Sequence, residues 1–183
     1  MNLWINAICY QLTWLAAIAG AGRGWWWAGP AAALVFAIVQ LARSSTRRAD
    51  AILIVVACML GFAIDSLFAQ RGLLHYSASV PFTGFAPVWI VALWASFALT
   101  LNHSLAYLKR HLAVAALLGA IGAPLAYYGA ANGWGALAFT SDPVPALAML
   151  SICWAVVTPG LAVCARYLCE HAPAIPALDG AIR

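Results

Sequence analysis

Charged side chains are scarce in this sequence, and their scarcity excludes an ordinary soluble fold. Only 8% of the 183 residues are Asp, Glu, Lys or Arg, whereas 66% are hydrophobic, and the mean hydropathy is +0.92. A soluble domain carries about a quarter charged residues to cover its surface. Lipid must therefore form part of the solvent around this chain, and the length fits one domain.

The sequence also lacks the patterns of common redox and metal sites. A thiol–disulfide enzyme needs paired, accessible thiols, and a zinc site needs Cys and His at defined spacings. None of the cysteines forms a C-x-x-C pair, and all of them fall in or beside apolar stretches: Cys9, Cys58, Cys153, Cys164 and Cys169. We therefore expect them to be small apolar packing residues, with no metal and no cofactor.

Apolar stretches of about 20 residues, the length that crosses a bilayer as a helix, recur along the chain. Six are present, at 3–20, 24–42, 51–70, 88–108, 112–131 and 145–168. We predict an all-α integral membrane protein, a bundle of six transmembrane helices over residues 1–170 with a short flexible cytoplasmic tail, 171–183. Many stretches are rich in Ala and Gly, and Gly119-x-x-Gly122-x-Pro124 should admit a close helix neighbour.

The basic residues give a direction to this bundle. With the N-terminus inside, seven of them would face the cytoplasm and only Arg23 and Arg71 would face outward. The seven are Arg43, Arg47, Arg48, Lys109, Arg110, Arg166 and Arg183. This bias places both termini in the cytoplasm. It also explains the formal charge of +4 without a nucleic-acid partner, because the charges sit in loops rather than on a DNA-binding face.

The outer loop 71–86 is long and half apolar. It is predicted either to lie on the bilayer surface or to fold back over the bundle as a lid.

Polar residues inside the spans are costly in lipid, so each needs a partner, a cavity or a function. In the fourth span, residues that mostly can form hydrogen bonds recur at steps of three and four, as on one helical face: Trp89, Leu93, Ser96, Thr100, His103 and Tyr107. We expect this face to point into the bundle. Asn102 and Ser104 flank His103 beside it.

Asp65 is the one acidic residue that falls within a predicted span. By residue count it lies near the outer boundary and His103 near the inner one, so the two should not form a catalytic Asp–His pair. Two interpretations stay open for each. Asp65 either bonds Arg71 or a tyrosine as a structural residue, or contacts a ligand or carries a proton. His103 is either a satisfied interhelical partner or a working residue.

We predict two polar layers in the bundle. The outer layer gathers Asp65, Trp94, Tyr127, Tyr128 and Asn132, with Arg71 just above, and the inner layer gathers Asn6, Gln40, Asn102, His103 and Thr158. We expect no catalytic residue. The candidate ligand-binding residues are Asp65, Trp94, Thr100, His103, Tyr127 and Tyr128.

Several of these residues fall in blocks that resemble a bacterial family known as domain of unknown function 2878. The blocks are NAICYQLTW, GFAIDSLFAQRG, APVWIVALWASFALTLNHSL and GAIGAPLAYYGAANGWGAL, and the resemblance extends over residues 2–138. It implies a small bacterial inner-membrane protein. Where the family pattern has Gly-Pro-x-Ser-Tyr, this chain places Ala126 at the serine position. We therefore expect helix packing there rather than a serine nucleophile.

The function predicted first is binding or transport of a lipid or small amphipathic molecule, in an outer-leaflet pocket lined by Asp65, Trp94 and Tyr127. A lipid- or fatty-acid-modifying enzyme is the alternative, but it would need clustered carboxylates, metal-spaced histidines or a nucleophile with its base. A third interpretation is a non-catalytic assembly partner of another membrane protein, or a homo-oligomer, using the small-residue face 16–24.

Overall fold

A computed structural model describes residues 2–171 as six α-helices and a small β-ribbon. The helices are α1 (Leu3–Gly22), α2 (Ala28–Arg43), α3 (Arg47–Gln70), α4 (Val88–Leu101), α5 (Leu112–Trp134) and α6 (Pro143–Glu170). The strands are β1 (Leu74–Tyr76) and β2 (Leu137–Phe139), and a 3₁₀ turn covers Ala106–Lys109. Of the predicted tail 171–183, residues 172–183 lie outside the described residues.

Four of these helices, α1, α3, α5 and α6, are long and apolar enough to cross a membrane. The other two are shorter, with 16 residues in α2 and 14 in α4, whereas a bilayer crossing takes about 20. The chain is thus a helical protein of membrane type.

Successive helices run in opposite directions, so the bundle has two distinct ends. Asn6 near the start of α1 contacts Gln40 near the end of α2, and the end of α1 at Gly22 packs against the backbone of Trp134 at the end of α5. We call the end with the β-ribbon the ribbon end. The opposite end carries Arg43, Arg47 and Lys109, and we call it the basic end.

The fourth predicted helix is shorter than expected, and this corrects the predicted helical face. Helix α4 ends at Leu101, and residues 102–105 form a turn. His103 therefore lies in that turn, and Tyr107 lies in the 3₁₀ segment with half of its surface exposed. The helix ends here because Asn102, His103 and Ser104 all bond side chains of other helices.

The loop 71–86 folds back over the bundle, as one of the two predictions had it. Strand β1 pairs antiparallel with β2, placing Tyr76 opposite Leu137. The Trp89 indole donates to the Ser77 carbonyl at 2.9 Å, and the Ser77 hydroxyl donates to the Gly135 carbonyl at 2.7 Å. The ribbon was not predicted, because strands of three residues are too short to show an alternating pattern.

Glycines also bring other helices into close contact. A Cβ on Gly119 would collide with the backbone and hydroxyl of α6 at Trp154 and Thr158, and a Cβ on Gly61 would collide with the Trp94 ring. The expected close neighbour at Gly119 is thus present and is α6. Gly122, in contrast, has open space where a Cβ would be.

Candidate functional site

A cleft of about 700 Å³ lies between α1, α4, α5 and α6. Its walls are mostly apolar, and they include seven aromatic side chains: Trp4, Tyr10, Trp14, Trp94, Phe97, Tyr127 and Trp154. On the α5 side, the small residues Gly122, Ala123 and Ala126 leave the room that larger side chains would fill. Ala126, expected at a helix contact, thus lines the cleft.

Both α1 and α5 contribute lining residues to the cleft. These helices touch at the ribbon end through Gly22 and Trp134, and the cleft separates them toward the basic end. Its rim carries large apolar side chains that face outward, with Trp4 71% and Leu125 65% exposed. Exposed apolar side chains of this size suit contact with lipid rather than with water.

Asp65 forms a buried polar cluster at the ribbon end of the cleft. Its carboxylate is fully buried and accepts hydrogen bonds from the Tyr76 hydroxyl at 2.6 Å, the Tyr127 hydroxyl at 2.5 Å and the Trp94 indole at 2.7 Å. We call Asp65, Tyr76, Trp94 and Tyr127 the ribbon-end cluster. All three donors to Asp65 are neutral. The sequence predicted either Arg71 or a tyrosine as its structural partner, and the structure shows bonds to tyrosines.

The ribbon-end cluster positions two side chains of the cleft wall, while its carboxylate does not itself line the cleft. Trp94 and Tyr127 line the cleft, whereas Asp65 lies behind them. Tyr76 arrives from the ribbon, so the folded-back loop completes the cluster. Burial, reinforced by the neighbouring Asp65, raises the pKa of Tyr76 well above its ordinary value. The Tyr76 hydroxyl therefore stays protonated and serves as a donor.

The basic end holds a second buried acid, Asp50, which the sequence analysis missed. It is 0% exposed and lies in the first turns of α3. It accepts bonds from the Ser44 hydroxyl at 2.5 Å and the Asn102 amide at 2.8 Å, and its Oδ2 lies 3.0 Å from His103 Nε2. The prediction that Asp65 is the one acid buried in a span is therefore wrong.

Further side chains extend this second group. Lys109 donates to the Asn102 amide oxygen at 2.9 Å, and the Cys169 thiol lies 3.2 Å from the same oxygen. We call Asp50, Ser44, Asn102, His103 and Lys109 the basic-end cluster. Beside it, Asn6 donates to Gln40 at 3.0 Å and accepts from the Ser104 hydroxyl at 2.5 Å. The polar residues grouped as an inner layer do gather here, except Thr158, which lines the cleft.

Asp65 and His103 are far apart, as predicted. Asp65 follows Asp50 by about 22 Å along α3, at about 1.5 Å per residue, and His103 contacts Asp50. The pair that does form, Asp50 with His103, has the spacing of a general base and its partner. Neither residue lines the cleft.

The six predicted ligand-binding residues thus separate into two groups. Trp94, Thr100 and Tyr127 line the cleft. Asp65 lies behind it, His103 belongs to the basic-end cluster, and Tyr128 points away with 48% of its surface exposed. Tyr128 does not join the outer layer because it follows Tyr127 directly on α5, and successive residues on a helix face different directions.

Other contributors were missed for physical reasons. Asp50 follows two arginines and was placed outside the apolar stretch, and Tyr76 lies in a loop. Trp154 lines the cleft from α6, where nothing in an apolar helix sets one tryptophan apart. One signal was available for Asp50. The run Asn102-His103-Ser104 requires polar partners at its own depth, and an acid in the first turn of the preceding helix is a natural candidate.

Comparison with known proteins gives a family but no relative of known activity. No curated protein matches the chain, and no solved structure matches it. The model of one family, described as "Protein of unknown function (DUF2878)", matches residues 3–160. This range includes every residue that lines the cleft, from Leu3 to Thr158, and all members of the two polar clusters. The chain therefore belongs to this family, as the sequence blocks predicted.

Proposed function

We propose that this protein is a six-span protein of the bacterial inner membrane that binds a lipid or small amphipathic molecule in the cleft between α1, α4, α5 and α6. Binding is the step that any transport of such a molecule would also require.

The crossing of α4 is supported by the way in which the turn after it is satisfied. Non-helical backbone is tolerated at membrane depth only where it is buried in protein or lines a cavity. The turn after α4 meets this condition, because the Ser104 amide donates to Asn6 and Asn102 is bonded to Asp50. Helix α4 can therefore be shorter than the bilayer without exposing backbone to lipid.

The cytoplasmic position of both termini rests on the excess of basic residues at the basic end. Reporter fusions test it, with alkaline phosphatase active only outside the cytoplasm and green fluorescent protein fluorescent only inside. Fusions after residue 45 and after residue 183 should fluoresce, and a fusion at Gly72 should show phosphatase activity. The reversed pattern would overturn the orientation. If the fusions after residue 45 and at Gly72 reported the same side, α3 would not cross the membrane.

The observation that carries the binding proposal is the aromatic cleft itself. Its volume of about 700 Å³ falls within the roughly 300–1,000 Å³ of small-molecule sites. The cleft differs from the outer-leaflet pocket that the sequence favoured, because it extends from the ribbon-end cluster toward the basic end along α1 residues 3–14. The Asp65 carboxylate stands outside it, so the lining rather than the acid would contact the ligand.

A matched pair of substitutions tests the cleft. Gly122 and Gly129 both lie on α5 and both have nothing within 4 Å of an added Cβ, but only Gly122 lines the cleft. Native mass spectrometry of the purified protein would record co-purified lipid adducts on the parent, Gly122→Phe and Gly129→Phe. We expect a specific adduct on the parent and Gly129→Phe that is lost from Gly122→Phe. Equal adducts on all three proteins would contradict the proposal.

A further inference from the structure

The polar groups on the cleft wall indicate which class of molecule the cleft takes. We propose that the cleft binds a neutral lipid carrying a small uncharged oxygen group, a hydroxyl or a carbonyl, and that the Gln11 amide recognises this group. This assignment rests on the proposed function and specifies the ligand. One side chain of α1 then determines the preference for such a lipid over a plain hydrocarbon.

Charge keeps an ionic head group out of the cleft. The 22 residues that line it include no Asp, Glu, Lys, Arg or His. A charged group placed there would be removed from water without a partner of opposite charge, which is strongly unfavourable. The ligand is therefore neutral over the part that the cleft encloses.

The lining polar groups on α4, α5 and α6 and in the turn after α4 are either bonded or out of reach. Four of them already donate hydrogen bonds within the protein: Trp94, Thr100, Ser104 and Tyr127. Trp154 Nε1 and Thr158 Oγ1 have no partner among the described residues, but both atoms are buried. The Thr158 hydroxyl also faces Gly119 in the contact between α5 and α6. A molecule in the cleft therefore does not reach these two atoms.

The lining side chains on α1 are different. Four of them carry polar atoms, and none of the four forms a side-chain hydrogen bond with another described residue: Trp4, Tyr10, Gln11 and Trp14. The three aromatic residues offer one polar atom each on a large apolar ring. Gln11 offers an amide, with an oxygen that accepts and an NH₂ group that donates. It is also exposed, so a molecule in the cleft reaches it.

Gln11 stands apart from the other amide and aliphatic hydroxyl side chains of its helix. The Asn6 amide donates to Gln40 at 3.0 Å, and the Thr13 hydroxyl donates to the Cys9 carbonyl at 2.9 Å. The Gln11 amide has no such partner among the described residues. Because a polar group without a partner is costly in lipid, we assign the partner to the molecule that occupies the cleft.

The depth of Gln11 selects a small, uncharged partner. Gln11 lies near the middle of α1, roughly 12 Å from Leu3 and roughly 17 Å from Gly22 at about 1.5 Å per residue. A charged head group is held at the membrane surface, whereas a hydroxyl or carbonyl on an apolar chain is far less costly to move inward. Ala7 and Trp14 line the cleft one turn before and after Gln11, so apolar wall borders the amide on both sides.

Matched substitutions and matched probes test this assignment. Gln11→Leu removes the amide and keeps a side chain of similar size. Thr13→Val removes a hydroxyl from the same helix outside the cleft and is the control. Each purified protein in lipid nanodiscs would be labelled with a diazirine-bearing hexadecanol, and thermal unfolding would verify that each variant is folded. The competitors share one chain length: hexadecanol, methyl hexadecanoate, hexadecane, hexadecanoate and hexadecyltrimethylammonium.

In the parent and in Thr13→Val, we expect hexadecanol or methyl hexadecanoate to halve the labelling at a mole fraction about 3–10-fold lower than hexadecane does, as for one hydrogen bond. In Gln11→Leu this difference should disappear. The order of the two oxygenated compounds distinguishes a hydroxyl from a carbonyl. The two charged compounds should compete no better than hexadecane.

The Gln11 assignment fails if hexadecane competes as well as both oxygenated compounds in the parent, or if their advantage survives in Gln11→Leu. The neutral class is wrong if a charged compound competes best. In each of these cases, loss of labelling in Gly122→Phe leaves binding in the cleft intact. If Gly122→Phe is labelled like the parent, or if the parent is not labelled, the cleft proposal fails as well.

Discussion

Asp65 and Asp50 are two fully buried carboxylates on the same helix, and they are held in contrasting ways. Asp65 accepts from two tyrosine hydroxyls and one indole, all neutral. Asp50 has a histidine, an amide and hydroxyls around it, with a lysine one step further out. At Asp65 the donors come from β1, α4 and α5, whereas at Asp50 they come from the segments just before α3 and just after α4.

The difference concerns access to water as much as charge. The His103 side chain is 13% exposed, and Asn102 and Lys109 are half-buried, so water can replace a lost partner at the basic end. Tyr76, Trp94 and Tyr127 are buried. The ribbon-end cluster should therefore determine the stability of the bundle more strongly than the basic-end cluster, and four substitutions measure this difference.

Asp65→Ala should have the largest effect. It leaves the Tyr76, Tyr127 and Trp94 donors without an acceptor, and each unpaired buried group is costly by about 1–3 kcal/mol. We expect a loss of about 3–5 kcal/mol in the free energy of unfolding, measured by denaturation in detergent micelles. Glu170→Gln, at an acid with 60% of its side chain exposed, is the control. A loss below about 1 kcal/mol would mean that the cluster does not hold the helices together.

Asp50→Ala should have a smaller effect, about 2–3 kcal/mol, because water can reach His103 and Asn102 once the carboxylate is gone. The same denaturation assay gives the comparison directly. If Asp50→Ala destabilises the protein more than Asp65→Ala, the order proposed for the two ends is reversed, and the network around Asn102 would be the main interhelical connection.

Tyr76→Phe removes one donor to Asp65 and should reduce the free energy of unfolding by about 1–1.5 kcal/mol at neutral pH. It should also change the response to alkali. Because burial raises the pKa of Tyr76 in the folded protein, the unfolded chain ionises first, at about pH 10. Parent stability should therefore fall as the pH rises above about 10.

The Tyr76→Phe protein should lose stability less steeply over that pH range, while Tyr128→Phe, at an exposed tyrosine on α5, should follow the parent. Identical alkaline slopes for the parent and Tyr76→Phe would show that the Tyr76 hydroxyl is not held at Asp65.

Lys109→Met should have the smallest effect, about 0.5 kcal/mol, since Lys109 is partly exposed and its bond to Asn102 competes with water. Its denaturation curve should nearly overlay that of the parent. A loss comparable to that of Asp50→Ala would show that charge, rather than access to water, governs the basic end.

The sequence predicted the parts of this architecture that depend on local pattern. The apolar stretches located all six helices. An acid within an apolar span needs polar partners, and this reasoning grouped Asp65 with Trp94 and Tyr127. Patterns that depend on distant partners were not accessible. Helix α4 ends at Leu101 because the residues after it bond Asp50 and Asn6, which are remote in sequence. Helical spacing alone could not show this end, so the predicted face wrongly included His103 and Tyr107. The ribbon and Tyr76 were missed because long-range pairing, not composition, orders the loop.

The cleft itself could not be predicted either. It exists because α1 and α5 touch at Gly22 and then separate, and because Gly122 and Ala126 leave space. Small residues were expected at helix contacts, and Gly119 fits that expectation whereas Gly122 does not. The same residue type either closes a contact or opens a cavity, depending on the neighbouring helix.

Photoaffinity labelling tests whether the cleft holds a lipid-like molecule. The purified protein in lipid nanodiscs would be irradiated with a neutral diazirine-bearing acyl lipid, with and without excess unlabelled lipid, and the labelled peptides mapped. We expect labelling that unlabelled lipid competes away and that is concentrated on α1 residues 3–14 and α5 residues 118–127. Uniform labelling of all lipid-facing helices, including α2, with no competition by unlabelled lipid would contradict it.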